Sequence, residues 1–446
     1  MNLTRGFELF KTQGNLNAMR NISNIDLEPN RRHLIAQLAG SMLGVSLLPN
    51  FFSPKGLATE SKKKAVTKNV IYLYMDGGMS HVDTLDPKSG DVAGPTKTIK
   101  TSATGVQLGE YLPLTAKQMH HGTIIRSITS TQGAHEQGNY FMHTSFQLRG
   151  TINHPSMGAW LSHFRGPGNP TLPASVYVGN SSRHPGAGFF PPEHSPLFVN
   201  NPENGLNNIE LQKGLSFKDH AARMKLAGEL DQEFNRSFGE HRSVSSQSGA
   251  YDGAYKMMAS KDIVAFNLAA EKSELRDKYG QNPFGQGCLL ARRLVEAGVR
   301  FIEVSLHGWD THAGNFTVTP DLCQKLDSGM SSLIKDLEER GLLAETLVVL
   351  ATEFGRTPKI NTVLGRDHYP KAFSACLFGG GVKNGGVFGA TNNTGEEVID
   401  DLITIPDFNA TIGHALGLPL DQVVTSPTKR PFKLADKGVP ITKIFG

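Results

Sequence analysis

The stretch Asn69-Val-Ile-Tyr-Leu-Tyr-Met75 is an unbroken apolar run that stops at Asp76-Gly77-Gly78. Continuous apolar runs of this length, ended by turn residues, are typical of strands that are buried on both faces of a sheet. Several later runs have the same form and also end in glycine or polar residues. They are 123–128, 174–178, 299–306, 346–351 and 375–378.

Helical patterns lie between the later strands. Apolar residues recur at helical spacing in 290–297 and in 322–337, and each pattern stops near a glycine. This alternation predicts an α/β fold in three layers, with a mostly parallel central sheet and helices on both faces. We expect long surface excursions around 166–205 and 236–256, where Pro, Gly, Asn and Ser accumulate.

The first 58 residues have a different character. Arg31-Arg32 precede the apolar run 34–52, which is followed by small residues near Ala58 and by a lysine-rich segment. This order predicts a twin-arginine export signal over 1–58 and an α/β domain over 59–446. An ordinary helix of the mature domain is the alternative. Because the run is short and contains Gly, Ser and Gln, we expect no stable membrane span, with an uncleaved membrane anchor as a further alternative. We expect the export machinery to deliver the protein to the periplasm or cell exterior.

Composition excludes several classes of protein. The chain has 446 residues, of which 38% are hydrophobic, so it can bury a large core and is not disordered. A net charge of +4 gives no support to a nucleic-acid partner. The three cysteines have no CxxC spacing, which argues against a disulfide framework and against a thiolate zinc site.

Carboxylates and imidazoles collect behind three of the predicted strands. In open parallel sheets the functional residues gather where strands end at their carboxyl edge. Hard oxygens combined with imidazole nitrogens bind zinc, iron or manganese, whereas calcium would need more oxygen ligands. The alternative is that each residue is an ordinary loop or capping residue. The residues are Asp76, Asp310, His312, Glu353, Arg356 and His368.

Five segments together resemble a known family. They are Met75–Lys88, Gly308-Trp-Asp-Thr-His312, Thr352-Glu-Phe-Gly-Arg-Thr-Pro358, Gly365-Arg-Asp-His-Tyr-Pro370 and Gly379–Gly386. The chain after residue 65 resembles the exported domain-of-unknown-function 1501 proteins of the alkaline phosphatase and sulfatase superfamily. The resemblance implies an alkaline-phosphatase-like three-layer sandwich and a phospho- or sulfo-ester chemistry.

The resemblance also implies metal ligands. One metal would bind the aspartate that closes the first strand, and the other would bind an Asp-x-His pair and a late histidine. A glutamate keeps the carboxylate where the superfamily has Asp-His, but Phe354 replaces the histidine and cannot bind a metal. The implied ligands are Asp76, Asp310, His312, Glu353 and His368.

The position of the superfamily nucleophile is occupied by His135, nine residues before Thr144. A neutral imidazole can attack phosphorus itself, or it can bind a metal and leave the attack to metal-activated water. We favour the second role, because His135 would supply the imidazole that Phe354 lacks. Arg356 could grip an oxyanion or could simply pair with Glu353. The predicted catalytic residues are therefore His135 and Arg356.

These features predict an exported metal-dependent hydrolase of phosphate or sulfate esters, with an anionic ester as substrate, including sulfated or phosphorylated carbohydrate. The alternative is a metal-binding but non-hydrolytic protein that binds carbohydrates or surfaces. Loss of the usual nucleophile favours the alternative, and the retained ligands favour the enzyme. We also expect Asp367 to orient His368, and Trp309 to be either a packing residue or part of a sugar subsite.

Overall fold

The computed structural model describes residues 67–180, 183–206 and 253–446, with a few further positions between 214 and 229. The predicted export signal and most of the excursion predicted around 236–256 lie outside the described residues. Within the part of the chain that is described, no helix has both the length and the apolar character needed to cross a bilayer.

Strands and helices alternate along the described chain. The strands are β1 (Asn69–Asp76), β2 (Thr98–Lys100), β3 (Gln107–Gly109), β4 (Gly122–Thr129), β5 (Ser175–Val178), β6 (Leu197–Val199), β7 (Phe301–His307), β8 (Thr346–Ala351), β9 (Gly355–Arg356), β10 (His368–Tyr369), β11 (Phe373–Gly379), β12 (Gly386–Phe388), β13 (Ala390–Thr391), β14 (Val398–Asp400), β15 (Ile403–Thr404), β16 (Val424–Thr425) and β17 (Pro431–Phe432).

The α-helices are α1 (Pro113–Ala116), α2 (His135–Thr144), α3 (Met157–Arg165), α4 (Ser273–Tyr279), α5 (Pro283–Glu296), α6 (Asn315–Glu339) and α7 (Ile405–Ala415). Short 3-10 helices occupy Asp91–Ala93, Met119–His121, Pro192–His194, Pro202–Asn204, Lys261–Phe266, Leu268–Ala270, Leu343–Glu345 and Thr442–Ile444.

A nine-stranded sheet forms the centre of the domain. Its order is β12-β4-β11-β8-β1-β7-β5-β6, and β15 also pairs with β4. All pairings are parallel except those of β11, which runs antiparallel to both β4 and β8. The predicted α/β fold with a mostly parallel sheet is therefore confirmed. The excursion predicted around 166–205 contributes β5 and β6 to this sheet.

Helices cover both faces of the sheet, as predicted. Side chains of β1 alternate between the two faces, because successive residues of a strand point to opposite sides. Ile71 and Leu73 belong to one buried cluster, together with residues of α5 and α6. Val70 and Tyr72 belong to a second cluster, together with residues of α2, α3 and α7. The predicted helical patterns lie in α5 and α6.

The helix α2 is held in place at its carboxyl end. Ser145, which follows it, has a left-handed backbone with φ 67°. The buried Asn409 of α7 donates from Nδ2 to the Met142 carbonyl oxygen at 2.8 Å and to Ser145 Oγ at 2.9 Å. A capping box of Thr404 and Asp407 starts α7. These contacts anchor the carboxyl end of the helix whose first residue is His135.

Candidate metal centre

The carboxyl ends of β1, β7 and β8 meet at one edge of the sheet. After β1, Gly77 adopts φ +120°, and a Cβ at that position would lie 2.6 Å from the backbone nitrogen of Asp310. The backbone nitrogen of Trp309 donates to the Asp76 carbonyl oxygen at 3.3 Å. The turn after β1 therefore packs directly against the backbone of the loop that carries Asp310, and only glycine fits at position 77.

His135 and Glu353 are joined at this edge. The ring nitrogen Nδ1 of His135 donates to Glu353 Oε1 at 2.9 Å. The fully buried Glu353 also accepts the backbone N–H of Gly77 at 2.9 Å and the Tyr74 hydroxyl at 3.1 Å. Its hydrogen bond raises the pKa of His135 above 6.5. Both carboxylate oxygens of Glu353 thus bind protein donors, and this residue orients His135.

Two other imidazoles are oriented by the same device. His312 donates from Nδ1 to Asp367 Oδ1 at 2.7 Å, and His368 donates from Nδ1 to the Gly133 carbonyl oxygen at 2.8 Å. The pairing of β9 with β10 places His368 opposite Arg356. The prediction that Asp367 orients His368 is wrong, because the Asp367 carboxylate bonds to His312 and therefore orients that ring instead.

The Nε2 atoms of the three imidazoles face a single carboxylate. Since each Nδ1 contacts an oxygen that can only accept, each neutral ring carries its proton there and has a lone pair on Nε2. These Nε2 atoms lie 3.2 Å from Asp310 for His135, 3.2 Å for His312 and 3.3 Å for His368. The Nε2 atoms of His312 and His368 are only 2.9 Å apart. Two lone pairs at that separation repel unless a proton or a metal ion lies between them.

Asp310 is held by Arg356. The guanidinium contacts Asp310 Oδ1 at 2.6 Å and also donates to the Gly78 carbonyl oxygen at 2.9 Å and to the Arg366 carbonyl oxygen at 3.0 Å. Partial burial opposes ionisation of Asp310, but the bond from Arg356 lowers its pKa to about 2. Because Arg356 is fully buried and its nitrogens are engaged, it positions Asp310 and neither grips an oxyanion nor pairs with Glu353.

The donor set fits one divalent cation. The ligand atoms of His135, Asp310 and His368 all lie within 4.8 Å of one another, and His312 Nε2 adjoins two of them. The two imidazoles and the carboxylate of this group, with His312 as a third imidazole beside it, suit zinc, manganese or iron and provide too few oxygens for calcium. Phe354, which cannot bind a metal, packs its ring 5.1 Å from that of His135 and 4.6 Å from that of His368.

Asp76 makes a different set of contacts. Its Oδ2 accepts from His307 Nδ1 at 2.6 Å, and Arg183 lies 3.7 Å from its Oδ1. Burial favours the neutral form of Asp76 and so raises its pKa, but the hydrogen bond from His307 acts in the other direction and the pKa of Asp76 is lowered overall. The sequence places His307 directly after the predicted strand 299–306, but no ligand or catalytic role was predicted for it. The signal that would have found it is its place at the end of β7, directly opposite Asp76 on β1.

A second group of His and Glu residues lies nearby in the interior. Glu303 accepts from His143 Nε2 at 2.8 Å and lies 3.4 Å from His184 Nε2. Here, however, His184 Nδ1 accepts the backbone N–H of Gly186 at 3.0 Å, so its proton must be on Nε2. His143 faces oxygen acceptors from both of its nitrogens. Because the proton of a neutral His184 is on Nε2, this group offers a cation only His143 and Glu303, fewer donors than the group around Asp310.

Trp309, beside Asp310, belongs to the core. Its side chain is 1% exposed and packs in the cluster that includes α5 and α6. The packing role is therefore confirmed, and a sugar subsite built on this ring is excluded by its burial.

Comparisons with known proteins identify a family and distant structural similarity. A family model described as "Protein of unknown function (DUF1501)" matches residues 67–445. No curated protein matches the chain. The lipoteichoic acid synthase LtaP from Listeria monocytogenes is 10% identical, with 81% of this chain and 75% of that chain covered and a TM-score of 0.42. The PsFucS1 sulfatase from Pseudoalteromonas sp. is 13% identical, with 84% and 73% covered and a TM-score of 0.38. An alkaline phosphatase superfamily protein from Vibrio parahaemolyticus is 11% identical, with 80% and 68% covered and a TM-score of 0.35. At these values the activities named for those proteins are not transferred to this chain.

Proposed function

This chain belongs to the DUF1501 family, and we propose that it is an exported, metal-dependent hydrolase of phosphate or sulfate esters. One observation carries the proposal. The Nε2 atoms of His135, His312 and His368 surround the carboxylate of Asp310, while each Nδ1 donates to a fixed oxygen. Oriented imidazoles with converging lone pairs are what a metal site requires and what a solvated loop does not need.

The ion that these residues would hold supplies charge that polarises the ester and lowers the pKa of water from about 15.7 to about 7. His135, His312, His368 and Asp310 would bind it. Glu353 and Asp367 keep two of the imidazoles in the tautomer that binds. Arg356 keeps Asp310 ionised and directed toward the imidazoles, since its guanidinium is fixed by carbonyl oxygens of the neighbouring turn.

We propose a single ion rather than two. A second ion would need the carboxylates of Asp76 and Glu353, but the Oδ2 atom of Asp76 is bonded to His307, and the positive charge of Arg183 lies 3.7 Å from its Oδ1, which accepts no hydrogen bond. Glu353 is bonded to Tyr74, Gly77 and His135. In this proposal His135 is a ligand and not a nucleophile, because its Nε2 is directed at Asp310.

The exposure of the centre bears on the substrate. The side chains of Asp310 and His312 are 48% and 47% exposed. A half-exposed cationic centre can be reached by an ester group carried on a larger molecule. We therefore propose an anionic ester as substrate, with sulfated or phosphorylated carbohydrate as the class to test first.

The number of donors also supports the second candidate function. If all four side chains bind the ion in a tetrahedron, no position remains for water or substrate, as in structural zinc sites. The protein would then be a metal-binding but non-hydrolytic module that binds carbohydrates or surfaces. Catalysis requires a coordination position that is open to water or substrate. A metal that prefers five or six ligands would keep one open beside the four protein donors, and so would a four-coordinate metal that leaves one imidazole unbound.

Elemental analysis of the purified protein, followed by assays with chromogenic phosphate and sulfate esters, tests the proposal. We expect about one metal ion per chain and turnover that chelation removes and metal restores. Replacement by cobalt and titration with a competing anion separate the two functions, because an anion alters the visible spectrum only where a coordination position is open to it. Protein that stays metal-free and inactive after reconstitution would reject both functions, whereas bound cobalt whose spectrum no anion alters, without turnover, would reject the hydrolase.

For His135 the informative variant is His135→Ala. Loss of metal is expected if the imidazole is a ligand. Full metal content with no turnover would instead make it the nucleophile, and retention of both would remove it from the site.

A further inference from the structure

Two large aliphatic side chains are exposed in succession in the segment between β9 and β10. Val363 is 57% exposed and Leu364 is 64% exposed. Val318, which lies one helical turn after Asn315 in α6, is exposed as well. Single exposed aliphatic residues are ordinary on protein surfaces, whereas adjacent ones that border a polar site mark a surface that contacts an apolar group.

The turn that carries this apolar pair, Val363 and Leu364, is bonded to a candidate metal ligand. Asn361 donates from Nδ2 to the His312 carbonyl oxygen at 2.9 Å, and its Oδ1 accepts the backbone N–H of Val363 at 3.1 Å. A Cβ at position 365 would overlap the same carbonyl oxygen, so only glycine fits there. Because His312 Nε2 lies 3.2 Å from Asp310, the apolar pair stands at the rim of the candidate metal centre.

The backbone of the apolar pair makes all of its hydrogen bonds within the protein. The N–H groups of Val363 and Leu364 donate to the side chain and the carbonyl oxygen of Asn361, at 3.1 and 3.2 Å. Their carbonyl oxygens accept from Gly314 at 3.1 Å and from Asn315 at 2.9 Å. Backbone groups that are removed from water need partners inside the protein. An apolar ligand can therefore cover this turn without leaving any of these four groups unpaired.

The conformation of Leu364 is unusual for a leucine. Its φ is 55°, in the left-handed region that glycine and asparagine adopt far more readily than other residues. The side chain also gains little from burial, because most of it faces solvent. Neither backbone preference nor packing in the core accounts for a leucine here, whereas contact with an apolar ligand does.

We propose that Val363 and Leu364 bind an apolar part of the substrate, so that the ester is an amphiphile with an alkyl chain. The inference rests on the proposed function and narrows its substrate class. The anionic group would lie at the candidate metal centre and the chain would lie on the adjoining turn. This substrate matches the two chemistries that the rim presents side by side, a cationic centre and an aliphatic surface.

A series of methyl-, hexyl- and decylphosphonate tests the proposal through binding alone, because a carbon–phosphorus bond is not an ester. Calorimetric titration of metal-loaded protein, at ligand concentrations below micelle formation, gives each Kd. We expect Kd to fall with each added methylene, by up to about fourfold where the methylene is fully covered. The double variant Val363→Ser/Leu364→Asn should flatten this dependence, with the metal content and the Kd of methylphosphonate unchanged. Asparagine tolerates the left-handed backbone at position 364, so the fold should persist.

The matched control is the double variant Leu402→Asn/Val439→Ser, which removes two similarly exposed aliphatic side chains beside β15 and after α7. It should keep the wild-type dependence on chain length. A wild-type Kd that does not change with chain length, or equal dependence in the two double variants, would overturn the proposal and leave the hydrolase intact.

Two further outcomes separate this proposal from its neighbours. If Val363→Ser/Leu364→Asn loses binding to phosphatidylglycerol vesicles but keeps the dependence on chain length, the apolar pair contacts a bilayer and the proposal is overturned. If metal-loaded protein shows the expected dependence but hydrolyses no phosphate or sulfate ester, the apolar binding site stands and the hydrolase is rejected.

Discussion

His135 donates its Nδ1 proton to Glu353 Oε1 over 2.9 Å, and this bond joins the first residue of α2 to the residues that follow β8. The two residues lie 218 positions apart in the chain. Glu353 is fully buried and receives two further donors from β1 and its turn, so its position is set by the sheet. The sheet thereby determines where the imidazole on the helix must lie.

Glu353→Gln should weaken metal binding without unfolding the protein. The substitution keeps the shape of the side chain but removes the charge that makes His135 a stronger ligand. Loss of such an orienting partner costs about 10-fold to 100-fold in metal affinity. Competition with a chromogenic chelator measures the change. Wild-type affinity in this variant would contradict the role assigned to Glu353.

His368→Ala should abolish stoichiometric metal binding, because it removes a ligand atom that lies within 4.8 Å of the other candidate ligand atoms. The matched control is His414→Ala, since His414 is exposed and lies in α7. Elemental analysis of the two purified variants gives the comparison. If both retain the same metal, the ion binds elsewhere.

Metal affinity should rise with pH through the pKa of His135. That pKa is raised above 6.5 by the bond to Glu353, so the proton is held to a higher pH than on a free imidazole and competes there with the metal. Below the raised pKa affinity should fall by up to tenfold per pH unit, and above it affinity should level off. In Glu353→Gln the pH at which the metal affinity levels off should be lower than in the wild-type protein. Affinity measured from about pH 5 to about pH 9 tests this, and a levelling-off pH that the substitution does not change would contradict it.

Gly77→Ala should be more damaging than Gly90→Ala. Both glycines have positive φ, 120° and 77°, so both substitutions strain the backbone. A Cβ at position 77 would also lie 2.6 Å from the backbone nitrogen of Asp310, whereas position 90 faces open space. We expect Gly77→Ala to lower the free energy of unfolding by about 2 kcal/mol more than the control and to reduce metal content. Equal free energies of unfolding of the two variants in urea would show that the backbone around Asp310 moves away from the added Cβ at little cost.

Glu303→Gln should lower the free energy of unfolding at neutral pH by about 3 kcal/mol, because it leaves His143 buried without its counter-charge. Burial opposes ionisation of Glu303, but His143 and His184 lower its pKa from 4.5 to about 2. The contribution of the Glu303 carboxylate to the free energy of unfolding is therefore complete above pH 4.5 and is lost as the pH falls toward 2. Glu303→Gln should flatten that part of the stability curve.

The control for Glu303→Gln is Glu338→Gln. Glu338 also pairs with a histidine, His121, but its side chain is 49% exposed. We expect a change below about 1 kcal/mol there. Similar losses in the two variants would mean that burial does not set the strength of the Glu303 pair.

The strands could be predicted from sequence because each is a short apolar run with a clear stop. The run 346–351 matches β8 residue for residue, and the run 69–75 differs from β1 only by the final Asp76. Burial on both faces explains this success, since such strands need apolar residues at every position. The short edge strands β12 and β15 have no such pattern and were not predicted.

The candidate ligands could be listed from sequence, but their partners could not. Asp310, His312 and His368 lie together as expected, and His135 lies beside Asp310, while its role as a metal ligand stays a prediction. The pairing of Asp76 with His307 depends on the order of strands in the sheet, which residue spacing does not encode. Arg356 was misassigned for a related reason, because its burial against the turn after β1 is a property of packing.

The reversed direction of β11 has a consequence for how this molecule could vary. The chain leaves the ligand-bearing edge after β8 and re-enters the sheet at that same edge through β11, with His368 just before it. The segment 357–367 is therefore a hairpin-like insert anchored at both ends on one side, and it never has to cross the domain. Its part 359–364, before the buried Arg366 and before Asp367, could be lengthened or exchanged between relatives, altering the surroundings of the candidate metal centre while the central sheet stays the same.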